Sequence, residues 1–185
     1  MLDFIIIKAI NEFGRGTLID SISKIISSNI FMTLLISLVV LIIIFKERKH
    51  TVKILSIIAI VIILHFFFTN FLIKGIIANQ GFERIRPYIS YPNEIVPIGN
   101  LSTDSSFPSG HVSIIAAVLF VPCYFYRKKF VWIFSGILIV LMALSRIHNG
   151  MHYPSDVLFG ALFGLIYGFV VIKIAKYFRK KAAYY

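Results

Sequence analysis

The chain contains a single cysteine among its 185 residues, and only 15% of its residues are charged. With one cysteine, Cys123, an intrachain disulfide is excluded, and its place in an apolar run predicts a small core residue. Acidic residues are also scarce, since 8 Asp and Glu stand against 19 Lys and Arg, for a net charge of +11. Internal repeats and low-complexity linkers are lacking as well. We therefore expect one domain over residues 1–185.

Hydrophobic residues, in contrast, make up 58% of the chain. This composition excludes an ordinary soluble globular domain. Five apolar runs reach or approach the roughly 20 residues that a helix needs to cross a hydrocarbon core. The sequence thus predicts an all-α fold, a polytopic membrane helix bundle with about five transmembrane helices. We place these helices at residues 29–45, 55–77, 112–126, 131–145 and 157–175.

Residues 1–28 follow a different pattern, with apolar residues at helical spacing and charges between them. Neither half is long enough to span a bilayer, and Gly14 and Gly16 interrupt the pattern. We expect two short amphipathic helices that lie along the membrane interface. A cleaved signal peptide is not expected, because Asp3 and Lys8 interrupt the first apolar run. The transmembrane core then occupies residues 29–175, and a basic cytoplasmic tail occupies residues 176–185.

Most of the basic residues fall in two short loops and at the C-terminus. If the five helices alternate in direction, all of these residues lie on one side, which is the distribution expected of a cytoplasmic face. A nucleic-acid partner is not needed to explain the charge, so the membrane and a lipid are the expected partners. The residues are Lys46, Arg48, Lys49, Lys53, Arg127, Lys128, Lys129, Lys173, Lys176, Arg179, Lys180 and Lys181.

A second group of polar residues collects at the opposite, extracytoplasmic ends of the predicted helices. Arginine guanidinium groups match phosphate oxygens in geometry, and a helix N-terminus attracts anions. A site for a phosphate-bearing ligand is therefore expected on this face of a multi-pass protein of the cell membrane. The candidates are Arg84, Arg86, Ser109, Gly110, His111, Arg146, His152 and Asp156.

His152 and Asp156 lie four residues apart at the start of a helix, and so on one helical face. We expect the carboxylate to accept a hydrogen bond from the imidazole, which leaves the other ring nitrogen as nucleophile or base. His111, from another helix, can protonate a leaving oxygen. These residues suit the transfer of a phosphoryl group to His152. Because arginines and backbone donors supply the positive charge, neither a metal nor a cofactor is expected for this reaction.

Three short motifs carry a resemblance to a known family. Pro108-Ser109-Gly110-His111 is one, Ser145-Arg146-x5-His152-x3-Asp156 is another, and Arg86-Pro87 is part of a third. On these residues the chain resembles the type 2 phosphatidic acid phosphatase superfamily. The resemblance implies that His152 becomes phosphohistidine, that Asp156 orients it and that His111 is the general acid. It also implies that Arg86, Ser109, Gly110 and Arg146 hold the phosphate.

The first motif departs from the family pattern Lys-x6-Arg-Pro, because Asn79 stands where the lysine is expected. Arg84 can supply this charge, although it can equally extend to the membrane interface. Lys74 is the poorer replacement, since it lies five residues and about 140° of α-helical rotation from the expected place. Of the other histidines, we expect His65 to be an interior hydrogen-bonded residue and His148 a solvated loop residue.

The short chain and its opening residues resemble the undecaprenyl-diphosphatase branch of the family, so a polyprenyl diphosphate is the expected substrate. Phosphatidylglycerophosphate and phosphatidate remain alternatives. Zinc binding by the histidines and Asp156 is an alternative that the arginines disfavour. A non-catalytic protein that binds or transports a lipid anion is a further alternative, but a histidine–carboxylate pair is not needed for binding alone. The sequence does not indicate an oligomeric state.

Overall fold

The structure, a computed structural model, describes residues 2–46 and 48–182, with the side chains of 179–182 left undescribed. The described residues form helices and no strand, which confirms the all-α prediction. The helices are α1 (Leu2–Glu12), α2 (Leu18–Ile26), α3 (Asn29–Lys46), α4 (Thr51–His65), α5 (Pro87–Ser90), α6 (Gly110–Tyr126), α7 (Lys129–His148) and α8 (Pro154–Ala182).

Among the described residues, four stretches are long and apolar enough to cross a membrane, namely α3, residues 51–80, α7 and most of α8. The 17-residue α6 is a shorter apolar helix. These five agree with the predicted transmembrane helices to within a few residues. The chain is thus a multi-pass membrane protein, as its composition predicts.

The second transmembrane stretch changes its helix type part-way along. α4 continues without a break into a π-helix at Phe66–Ile77 and ends in a 3-10 turn at Ala78–Gln80. A π-helix bonds each residue to the fifth one along instead of the fourth, and single π turns inside α-helices are frequent at functional sites.

The centre of the bundle is α6, whose residues from Val112 to Cys123 are almost all buried. It packs most extensively against α8. Three glycines spaced four residues apart on α8 permit this approach, as small residues do between membrane helices. A Cβ atom on Gly160 would lie 2.7 Å from the carbonyl oxygen of Ser109, and one on Gly164 would collide with that of Ser113.

The N-terminal segment forms two short helices, as predicted, and the chain between them turns through positive φ angles at Gly14 and Gly16. Leu18, Ile22 and Ile25 on α2 are exposed, whereas Ser23 is buried. The Ser23 hydroxyl lies 2.7 Å from the Asn149 side-chain oxygen at the end of α7. α2 thus turns a polar residue toward the bundle and an apolar face away from it.

The basic loops lie together at one end of the bundle. Lys53 at the start of α4 lies over the ring of Phe125 near the end of α6, with Nζ 6.0 Å from the ring centre. Lys176 on α8 lies over the ring of Tyr124, with Nζ 4.7 Å from its centre. The side chains of Arg179, Lys180 and Lys181 lie outside the described residues. The described basic clusters therefore lie at the end of the bundle that is opposite to the first turns of α6 and α8.

Candidate active site

A cavity of about 880 Å³ lies where α6 and α8 begin and α7 ends. Its wall brings together residues that are far apart in the chain, from α2, α3, the π-helix, the loop before α6 and the end of α7. The residues that bear on its chemistry are Lys74, Arg86, Asp104, His111, Arg146 and His152.

His152 is the buried centre of this cavity, with only 1% of its surface exposed. Its Nδ1 lies 2.7 Å from the carbonyl oxygen of Ser106. A carbonyl oxygen can only accept, so Nδ1 carries the proton and Nε2 keeps its lone pair. Nε2 lies 3.4 Å from Nη1 of Arg86 and 3.4 Å from Nη2 of Arg146. Burial, followed by the charges of Arg146 and Arg86, holds the pKa of His152 well below its ordinary value.

Asp156 does not hydrogen-bond to the His152 ring, contrary to the prediction. Its Oδ2 lies 3.8 Å from Nδ1 of His152 and accepts instead from the backbone N–H of Tyr153 at 2.8 Å. The reason is helix capping, since Asp156 lies in the first turn of α8 and its side chain accepts from the backbone of Tyr153, the residue that precedes the helix. The Ser106 carbonyl thus fixes the tautomer, while the buried carboxylate supplies negative charge beside the ring.

Arg86 and Lys74 both donate hydrogen bonds to the carboxylate of Asp104. Nη2 of Arg86 donates to Oδ1 of Asp104 at 2.6 Å, and Nζ of Lys74 donates to Oδ2 of Asp104 at 2.8 Å. Arg86 also donates to the Met151 carbonyl at 3.0 Å. The Arg86 side chain is 3% exposed and that of Lys74 is 10% exposed. Both cations are fixed and point into the cavity.

Arg146 is held by the N-terminal segment. Its Nη1 donates to the Ser27 hydroxyl at 2.6 Å, and its buried Nε has no hydrogen-bond partner among the described residues. The buried hydroxyl of Ser109 also lacks a hydrogen-bond partner within the part of the chain that the structure describes. Buried donors are costly when they stay unpaired. Arg146 therefore carries a donor that a bound anion can use, beside the start of α6 at Gly110, whereas Ser109 packs against Gly160 of α8 and is not among the residues that line the cavity.

His111 stands in the first turn of α6, on the cavity wall. Its Nε2 lies 2.9 Å from Oδ1 of Asn29, the first residue of α3. An amide oxygen accepts, so this nitrogen of His111 carries the ring proton. The His111 ring thus lies at the cavity on a helix other than the one that follows His152, and its Nε2 proton is donated to Asn29.

Arg84 lies outside this cavity, contrary to its predicted role in phosphate binding. Its Nη1 donates to Oδ1 of Asp156 at 2.6 Å, and its Nη2 donates to Oδ2 of Asp3 at 2.7 Å. Its guanidinium also lies 4.2 Å from the centre of the Tyr153 ring. Two carboxylates hold Arg84 on the outer side of Asp156, so its charge is already compensated.

Lys74 lies on the cavity wall, and Asn79 does not. Asn79 is exposed, and its amide donates to the Gly75 carbonyl of its own helix at 2.6 Å. The rotation that makes Lys74 a poor replacement for a residue at position 79 assumes an α-helix. Residues 74–79 instead pass from a π-helix that ends at Ile77 into a 3-10 turn at Ala78–Gln80, and Lys74, not Asn79, lines the cavity.

His148 is buried and not solvated, so that prediction is wrong. Its Nδ1 lies 2.8 Å from the Ile10 carbonyl oxygen, and its Nε2 lies 2.9 Å from Oδ1 of Asp20. It joins the end of α7 to both N-terminal helices. His65 is an interior hydrogen-bonded residue, as expected, with Nδ1 3.1 Å from the Ser113 hydroxyl.

Sequence reasoning missed the contribution of residues 20–29 to the cavity. Lys24, Ser27 and Asn29 all line it. They carry no motif, and the amphipathic pattern around them predicts a surface segment. Asp104, which also lines the cavity, was missed as well.

Comparisons with known proteins identify the sequences and folds to which this chain is similar. The chain is 35% identical over 104 residues to phosphatidylglycerophosphatase B from Bacillus subtilis, which covers 51% of this chain and 48% of that protein. It is 30% identical over 103 residues to undecaprenyl-diphosphatase from Sulfolobus acidocaldarius, which covers 56% of this chain and 49% of that protein. The chain spans about half the length of these curated relatives.

The fold is also similar to that of a solved structure, the first transmembrane PAP2 type phosphatidylglycerolphosphate phosphatase from Bacillus subtilis. The TM-score is 0.68 at 24% identity, over 95% of this chain and 85% of that one. Residues 51–180, well over half of the chain, match the sequence profile of the PAP2 superfamily. With the helical bundle, the two complete motifs and this match in agreement, the chain belongs to the PAP2 superfamily.

Proposed function

We propose that this protein is an integral-membrane lipid phosphatase that hydrolyses a polyprenyl diphosphate of the undecaprenyl type to the monophosphate and phosphate. The observation that carries the proposal is the Nε2 lone pair of His152, which faces the guanidinium groups of Arg86 and Arg146 at 3.4 Å each. A neutral imidazole between two cations can attack an anionic phosphoryl group whose charge those cations attract.

In the first step, Nε2 of His152 forms a bond to the terminal phosphorus, and the bond from that phosphorus to the bridging oxygen breaks. His111, which carries a proton on each ring nitrogen once the anionic substrate is bound, gives one of them to the departing oxygen, and the lipid monophosphate leaves. Arg86, Arg146 and the backbone at Gly110 hold the phosphoryl oxygens. Phosphoryl transfer depends mainly on such positioning and charge stabilisation.

In the second step, water attacks the phosphohistidine, and His111 accepts a proton from that water. The N–P bond breaks, and the electron pair returns to Nε2 of His152. Throughout, the Ser106 carbonyl keeps the proton on Nδ1, and the nearby Asp156 carboxylate stabilises the positive charge that develops on the ring. Every group in the cycle is then restored.

The charge of the cavity favours a substrate with two phosphate groups. Lys24, Lys74, Arg86 and Arg146 line it, and Asp104 is the one carboxylate among its described lining residues. Two of the cations suffice for the reacting phosphoryl group, which leaves lysines for a second phosphate. Phosphatidylglycerophosphate also carries two phosphate groups, so this charge disfavours only phosphatidate. The similarity to the undecaprenyl-diphosphatase supports the diphosphate, and the similarity to phosphatidylglycerophosphatase B supports the alternative.

The proposal is tested by phosphate release from purified protein with a panel of lipids in the presence of a chelator. The panel contains undecaprenyl diphosphate, phosphatidylglycerophosphate and phosphatidate. We expect the highest kcat/KM for the diphosphate, with no loss on chelation, because protein cations supply the charge. No release from any lipid would favour the non-catalytic alternative, and loss restored by zinc would favour a metal site.

Lys74 is expected to take the part of the missing motif lysine. Lys74→Ala should lower kcat/KM by about 10²-fold, because one fixed donor to the phosphate is lost. Asn79→Ala should change it little, since the Asn79 amide is bonded to its own helix. Steady-state kinetics of both variants provide the check. A larger loss from Asn79→Ala would assign the role to position 79 after all.

We further propose that the cavity faces the extracytoplasmic side of the membrane. The described basic clusters lie at the opposite end of the bundle, and such clusters stay on the cytoplasmic side during insertion. The substrate phosphates are then presented on the outer leaflet, while the prenyl tail stays in the bilayer.

Cysteine labelling in intact cells tests this orientation. In a Cys123→Ala background, Asn100→Cys should react with an impermeant thiol reagent, because residue 100 lies on the cavity wall. Lys128→Cys, between α6 and α7, should be protected until the cells are opened. The reverse pattern would place the cavity on the cytoplasmic side.

A further inference from the structure

The carboxylate of Asp104 occupies a position that suits an anionic oxygen pair. Its two oxygens accept separately, one from Arg86 at 2.6 Å and the other from Lys74 at 2.8 Å. The Ser102 hydroxyl donates to it as well. These are charge-assisted bonds of the kind that a phosphate would make with the same two cations.

Asp104 is not fixed in place by burial, unlike the cations that it contacts. Its side chain is 46% exposed, whereas that of Arg86 is 3% exposed. It belongs to the segment between α5 and α6, outside any helix. Rotation of its side chain toward water therefore requires no movement of the bundle.

The carboxylate is also charged at neutral pH. Burial favours the neutral acid, but hydrogen bonds from Lys74 and Ser102 and the nearby charge of Arg86 outweigh it. The pKa of Asp104 consequently lies well below its ordinary range. The Asp104 carboxylate is thus an anion that lies beside Lys74 and Arg86 until another anion replaces it.

We propose that Asp104 is an internal competitor for the substrate phosphate, which yields Lys74 and Arg86 to the lipid diphosphate and returns to them when the products leave. This inference rests on the proposed function of the cavity. Asp104 excludes any anion that binds the two cations less strongly than its own carboxylate does. Weakly bound inorganic phosphate is one such anion. Return of the carboxylate lowers the affinity for the phosphate product and so favours its release.

The alternative role for Asp104 is to position Lys74 and Arg86 for the substrate. The two roles predict opposite effects on anion affinity, because removing a competitor tightens binding whereas removing a positioning group weakens it. Asp104→Asn separates them, since the amide keeps an acceptor for Ser102 and loses the charge. Asp104→Ser is a second variant, in case the amide disturbs folding.

The experiment measures inorganic phosphate binding to the purified full chain by titration calorimetry, and product inhibition by phosphate during lipid turnover. We expect Asp104→Asn to bind phosphate about tenfold more tightly and to show a correspondingly lower inhibition constant. Glu94→Gln is the matched control, because Glu94 pairs with Lys8 at 2.7 Å and does not line the cavity. It should leave both quantities unchanged.

Unchanged or weaker phosphate binding in both Asp104 variants would overturn the inference and assign Asp104 to positioning. Calorimetry needs no turnover, so it separates this inference from the proposed function. Tighter binding in Asp104→Asn together with no phosphate release from any lipid by the unaltered protein would support the internal competitor and contradict the phosphatase.

Discussion

Replacing His152 with alanine should lower phosphate release by more than about 10⁴-fold, because the covalent route loses its nucleophile. Its Nε2 is the imidazole nitrogen that faces both Arg86 and Arg146 in the cavity. The other histidines among the described lining residues, His111 and His65, hydrogen-bond to Asn29 and Ser113. Release of phosphate from the preferred lipid, measured with purified variants of equal helicity, provides the check.

The matched control for this variant is His50→Ala. His50 is an exposed histidine before α4, at the basic end of the bundle. Its loss should leave turnover unchanged. If His152→Ala kept near-normal turnover, His152 would not be the nucleophile, and the phosphohistidine route would be wrong.

Arg146→Ala should lower kcat/KM by about 10²-fold to 10³-fold, which is typical for loss of a donor that meets developing charge. The guanidinium lies beside Nε2 of His152 and has a buried Nε without a partner among the described residues. Arg146→Lys should recover little of this loss, because an ammonium group cannot bond to Ser27 and span the phosphate oxygens at once. Steady-state kinetics of both variants measure the effect.

Arg84→Ala serves as the comparison for Arg146→Ala and should cost less. Arg84 contacts Asp156 from outside the cavity and has no contact with Nε2 of His152. An equal and severe loss in the two variants would mean that the Arg84–Asp156 pair matters as much for turnover as the phosphate-facing guanidinium does.

Composition and periodicity were sufficient to predict the bundle. The predicted helix at 112–126 is α6 at Gly110–Tyr126, and that at 131–145 is α7 at Lys129–His148. Hydrophobic runs have a length set by the bilayer, so their number and position can be read directly. The alternating direction of the helices also brings the motif residues to one end.

The local geometry of the site could not be read in the same way. The rotation between Lys74 and position 79 depends on a π-helix, and a run such as Phe66–Ile77 shows no periodicity that distinguishes it from an α-helix. The position of Arg84 depends on Asp3, a partner 81 residues earlier in the chain. Contacts between remote segments follow from packing, which no single stretch of sequence specifies.

The burial of His148 has the same origin. Its two acceptors, the Ile10 carbonyl and the Asp20 carboxylate, belong to the N-terminal helices. The amphipathic pattern predicts that these helices lie at the surface, and their exposed apolar residues are consistent with it. It does not predict that their polar face packs onto the end of α7 and contributes Ser27 to the site.

Trapping of the covalent intermediate tests the central claim most directly. Purified protein is mixed with the lipid diphosphate, quenched in alkali within a turnover, and digested for mass spectrometry under conditions that preserve phosphohistidine. The proposed mechanism predicts an alkali-stable, acid-labile phosphate on His152, which is absent from His152→Ala and present in His50→Ala. Full turnover with no phosphate on His152 at any quench time, or phosphate on another residue, would contradict it.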